Sequence, residues 1–138
     1  MKTRDHTLFL RRVLLADAAA SLATGLLMLL GAAMLGPLLG LPEALLRTAG
    51  AVLLPFAVFV AWLGSRPSPS RAAVWLVIAC NAVWVAESIL LLWLEWVTPN
   101  TLGSAFVIGQ AAAVGVLAEL EYFGLRKARQ PAPRGQAA

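Results

Sequence analysis

Residues that carry chemistry are scarce in this chain. Its one cysteine, Cys80, excludes an intramolecular disulfide and, lying in an apolar run, reads as an inert buried thiol. Its one histidine, His6, stands outside every apolar run, so a haem or a histidine-rich metal centre has no ligand set. No metal or cofactor is expected. The sequence contains no CxxC, no glycine-rich phosphate loop, no HExxH and no G-x-S-x-G. No apolar run holds a lysine for retinal. The chain therefore reads as non-enzymatic, although a lone acid is able to act in proton transfer.

Charge is the second shortage. Charged residues make up 13% of the 138, against about 25% in a soluble domain. Hydrophobic residues make up 60%, and the mean hydropathy is +0.80. A surface of that composition cannot face water, so an all-α integral membrane protein is expected. Four apolar runs stand out, at about residues 13–35, 48–64, 72–94 and 102–123. They compare with the roughly 20 residues that cross a hydrocarbon core of about 30 Å. "GPLLGLPE", "GSRPSPSR" and "TPNT" separate them, and Pro42 with Glu43 suits an earlier start for the second. Residues 1–125 thus form a four-transmembrane-helix bundle, and 126–138 a basic tail of disordered composition. The basic start is also a feature of signal peptides. The first apolar run is too long for one, however, and Asp17 interrupts it, so retention is expected.

The net charge is +4 and the pI about 10.2. The basic residues sit beside the apolar runs, with no basic–aromatic motif among them. Membrane lipids rather than nucleic acid are the expected partners. Lys2, Arg4, Arg11, Arg12, Arg66, Arg71, Arg126, Lys127, Arg129 and Arg134 share one side, and only Arg47 lies on the other. By the positive-inside rule both termini are cytoplasmic. Trp62, Trp75 and Tyr122 then fall at the inner interface, and Trp93 and Trp96 at the outer one. So strong a bias also argues against a dual-topology transporter.

"LGLPEALLR", "CNAVWVAES" and "LEYFGLRK" resemble stretches of a group of short four-span bacterial membrane proteins without an established activity. The resemblance covers about residues 10–127. It implies a bacterial inner-membrane location and brings no catalytic residues. Within the chain, "ADAAASLATGLLMLL" and "CNAVWVAESILLLWL" echo each other, as two related helical hairpins would.

The polar residues inside the runs are the candidate site. Helical spacing puts Asp17, Ser21, Thr24 and Met28 on one stripe, and Asn81, Trp84 and Ser88 on another, with Glu87 beside Trp84. Gln110, Val114, Leu117 and Glu121 form a third stripe. At about 1.5 Å per residue, Asn81 and Gln110 fall near the midplane, Glu87 roughly 6 Å outward, and Asp17 and Glu119 roughly 10 Å inward. A charge at a helix centre costs about 2.5–3.5 kcal/mol, and no cation lies within a run to offset it. Glu87 is therefore expected to be neutral or to face a water-filled cavity. The expected site is Glu87 in a central cavity, with Trp84 as a wall and Asn81 and Gln110 as polar partners.

Simpler roles compete. Asn81 and Gln110 suit interhelical hydrogen bonding, and Asp17 suits a reach to the interface or to Arg12. Glu119 and Glu121 suit the interface beside Arg126 and Lys127. Ala105, Gly109 and Ala113 suit close helix packing, and Pro55 a kink. The functional expectation is binding of a lipophilic ligand or a partner membrane protein through the polar patch. The alternatives are a proton-coupled small-molecule transporter, acting as a homo-oligomer, and a lipid-modifying enzyme.

Overall fold

A computed structural model describes residues 2–128. It contains five helices: α1 Lys2–Leu30, α2 Ala32–Leu39, α3 Glu43–Ser65, α4 Arg71–Trp93 and α5 Thr101–Ala128. Segments of α1, α3, α4 and α5 are long and apolar enough to cross a membrane: Arg4–Leu30, Glu43–Ser65, Arg71–Trp93 and Thr101–Ala128. The molecule is an all-α bundle of four such helices. α5 continues through Arg126 and Lys127, so the tail expected from residue 126 is helical to Ala128. Residues 129–138, with Arg129 and Arg134, lie outside the described residues.

The sequence breakers act locally. Gly31 divides the run 13–35 between α1 and α2, and its N–H still bonds the carbonyl of Leu27 at 2.8 Å. Gly40 ends α2 in the left-handed region at φ 67°, the conformation glycine adopts without a Cβ penalty. A Cβ there would lie 2.9 Å from the backbone nitrogen of Asn100. α3 starts at Glu43, which accepts from Arg47 at 2.9 Å, and it runs through Pro55 as one helix. Ser70 caps α4. Asn100 serves two helix ends at once. Its Oδ1 accepts from the N–H of Gly103 at 2.8 Å in the first turn of α5, while its Nδ2 donates to the carbonyl of Leu38 at 2.8 Å. Its backbone N–H also bonds the carbonyl of Leu39 at 3.1 Å. The end of α2 and the start of α5 are thus one unit.

α1 and α3 form the tightest antiparallel pair, crossing where Gly25 meets Gly50. A Cβ on Gly50 would stand 2.6 Å from the carbonyl oxygen of Gly25, so only glycine permits this approach. Close backbone packing is the main source of helix association where lipid is as apolar as the core. α5 packs on α1 and α4, and α3 barely touches α4. Leu10, Leu14, Val60, Leu63, Val74, Val77 and Leu125 join all four long helices at the end where α1 begins and α5 finishes. Arg11 closes that end by donating to the carbonyl of Gly64 at 3.1 Å. Met28, Leu35, Leu39, Leu46, Leu53 and Val107 form a second core towards the other end, without a buried residue of α4. There α3 and α4 splay apart. Trp62, Trp75 and Tyr122 are exposed at the end where α1 begins, and Trp93 and Trp96 at the other. Arg66 lies over Trp62, 4.4 Å from the ring centre.

The small-residue face at Ala105, Gly109 and Ala113 does not serve the packing expected of it. All three are exposed, and nothing lies within 4 Å of a Cβ built on Gly109. The close approaches fall instead at Gly25, Gly50 and Gly103, whose would-be Cβ meets the carbonyl oxygen of Leu39 at 2.0 Å. Cys80, expected to be buried, is exposed, one position off the inward stripe of α4.

Candidate functional site

Between the two apolar cores lies a buried polar layer. Asp17 of α1 is 1% exposed, Asn81 of α4 is 3% and Glu121 of α5 is 0%. The Asn81 side-chain nitrogen donates to Asp17 Oδ2 at 2.8 Å and to Glu121 Oε2 at 3.2 Å. Ser21, one turn after Asp17, donates to Asp17 Oδ1 at 3.1 Å. One amide therefore ties two carboxyls from two other helices. Glu121 Oε1 is buried and accepts no hydrogen bond among the described residues. Burying a polar atom without a partner costs about 1–3 kcal/mol, so this oxygen is the least satisfied atom of the layer.

Three expectations change here. Asp17 does not reach the interface or Arg12, because Asn81 and Ser21 hold it inside. It also shares a level with Asn81, rather than sitting roughly 10 Å inward of it. The reason is that the spanning segment of α1 begins at Arg4, which moves its middle back to Asp17. Glu121 does not lie at the interface beside Arg126 and Lys127; it is the most buried acid in the bundle. Its place on the Gln110–Val114–Leu117 stripe was the signal that it faces inward. Glu119, by contrast, is exposed.

A second network joins α4 to α5 one to two turns away. The Trp84 indole N–H donates to Gln110 Oε1 at 2.6 Å, and Gln110 Nε2 donates to Ser88 Oγ at 3.0 Å. The Ser88 hydroxyl donates to the carbonyl of Trp84 at 2.8 Å, which closes the ring. Trp84 and Gln110 are therefore brought together. Asn81 belongs to the other network. Glu87 joins neither: it is exposed on the flank of α4 that faces the gap to α3.

That gap is a cleft. Its outer part has a volume of about 620 Å³. α3 supplies Leu45, Thr48, Ala49 and Val52, α4 supplies Trp84, Glu87, Ser88 and Leu91, and α5 floors it with Phe106, Val107 and Gln110. A second part of about 330 Å³ continues between the same helices past Val52, Phe56, Cys80 and Glu87 to Ser21 and Asn81. Glu87 lines this cleft between α3 and α4, whereas the expected cavity lay at the bundle centre.

Among the described residues, no group of three or more His, Cys, Asp or Glu side chains is placed to hold a metal ion. Comparison of the chain with protein families, with characterised proteins and with solved structures gives no match. The class is therefore defined by the fold alone: a four-span helical membrane protein with a polar layer in its core and a cleft on one side.

Proposed function

We propose that this protein binds a lipophilic small molecule, taken laterally from the bilayer into the α3–α4 cleft, and that it acts without catalysing a reaction. The observation that carries the reading is the lining of the cleft. Its walls are apolar, and most of its polar groups are already engaged. The Trp84 N–H is held by Gln110, the Gln110 amide by Ser88 and Val107, and the Ser88 hydroxyl by Trp84. Glu87 is the acid left to meet a ligand. A ligand that fits has an apolar body and a hydrogen-bond-donating or amine head group. A cavity of this volume is within the range of about 300–1,000 Å³ usual for small-molecule sites.

We also propose a bacterial inner-membrane location with both termini cytoplasmic, the orientation being supported by the ten-to-one division of its basic residues. Native mass spectrometry of protein purified in mild detergent tests the binding reading. We expect a retained small molecule in the wild type and its loss in Glu87→Gln and Ala49→Phe, the latter filling the cleft. Equal retention by the wild type and both variants would overturn it.

A further inference from the structure

We propose that Asp17 and Glu121 form an exchangeable-proton site, with one proton bound between the two carboxyls and reached through the α3–α4 cleft past Glu87. The proposal does not rest on ligand binding in the outer cleft. It rests on the hydrogen-bond inventory of the buried layer. Asn81 spends its amide hydrogens on Asp17 Oδ2 and Glu121 Oε2, and Ser21 spends its hydroxyl on Asp17 Oδ1. Glu121 Oε1 is left buried and without a donor among the described residues. Carboxylates are acceptors only, so two of them in one buried layer need a shared cation.

Among the described residues no basic side chain supplies it. On α1, Arg11 turns to the carbonyls of Gly64 and Ser65, Arg12 is exposed, and His6 lies about three turns away. On α3, Glu43 and Arg47 pair with each other at the opposite end. On α4, Arg71, Cys80 and Glu87 are exposed, and on α5 so are Glu119, Tyr122, Arg126 and Lys127. A proton fits better than a metal ion. Asn81 points N–H donors at the very oxygens a metal would take, whereas an O–H on Glu121 Oε1 satisfies the one idle atom. Binding forms that O–H bond, which donates to Asp17. Release breaks it and passes the proton along the 330 Å³ cleft that Ser21 and Asn81 share with Glu87, then through the outer cleft to water at its Leu41 and Trp96 end.

Infrared difference spectroscopy on the full chain in lipid nanodiscs tests this. We expect a protonated-carboxyl C=O band that shifts on transfer to D₂O. It should be lost in Glu121→Gln, whose amide still donates to Asp17 and so preserves the layer. In Glu87→Gln the band should persist while its exchange slows. The wild-type readout stands even if Glu121→Gln does not fold. A wild type without the band overturns the proposal, as does a band retained in Glu121→Gln. Absence of the band together with thermal stabilisation by Na⁺ over choline would assign the site to a metal cation instead.

Discussion

Asn81 connects three helices through one nitrogen. Its two acceptors are the buried acids of α1 and α5. Hydrogen bonds to charged or potentially charged partners contribute about 1.5–3 kcal/mol, and orphaning a buried group costs about 1–3 kcal/mol. Asn81→Ala should therefore destabilise the protein by about 2 kcal/mol or more, measured as a lower unfolding midpoint in detergent. An unchanged midpoint would mean that the layer contributes nothing. At this scale the sequence was half legible. Helical spacing identified the stripes of Asn81, Trp84 and Ser88 and of Gln110 and Glu121. It did not reveal that Asn81 pairs with Asp17, because spacing within one helix carries no information about which helix lies alongside. Asp17 and Asn81 do hold corresponding places in the two similar apolar stretches, and the structure joins them.

The helices themselves were marked by composition. Glycine and proline breakers delimit every connection, and "TPNT" holds the residue that caps α5. The start of α1 was hidden, since Arg4, Arg11 and Arg12 depress hydropathy without opposing a helix. Helix contacts were hidden for another reason. Lipid and protein interior are equally apolar, so hydropathy does not say which small residues face a neighbour. That difference is measurable. Gly50→Ala pushes a methyl into the backbone of α1 and should cost about 1–3 kcal/mol, as overpacking does. Gly109→Ala, with open space around it, should stay within about 0.5 kcal/mol. Thermal unfolding of the pair in detergent checks this. Equal losses would contradict the crossing, and a selective loss of oligomer in Gly109→Ala would show that a second copy covers that face.

Over the whole molecule, the α1–α3 hairpin and α5 form a closed side, while α4 leans away from α3 and leaves the cleft. Hydropathy had no means of foreseeing that opening, because it arises from unequal packing of four similar helices. The proposed orientation follows from charge alone. Reporter fusions after Gly40 and Asn100 should read as external, and those after Ser68 and Arg129 as cytoplasmic. An external signal at Ser68 would overturn it.

The central claim is that the cleft admits molecules from the bilayer to Trp84. It is tested most directly by a protein in which Trp62, Trp75, Trp93 and Trp96 are replaced by Phe, leaving Trp84 as the sole tryptophan. In vesicles of phosphatidylcholine brominated on its acyl chains, Trp84 fluorescence should be quenched, and Ala49→Phe should relieve the quenching by filling the space in front of it. Trp84 emission that brominated lipid leaves untouched would contradict the account.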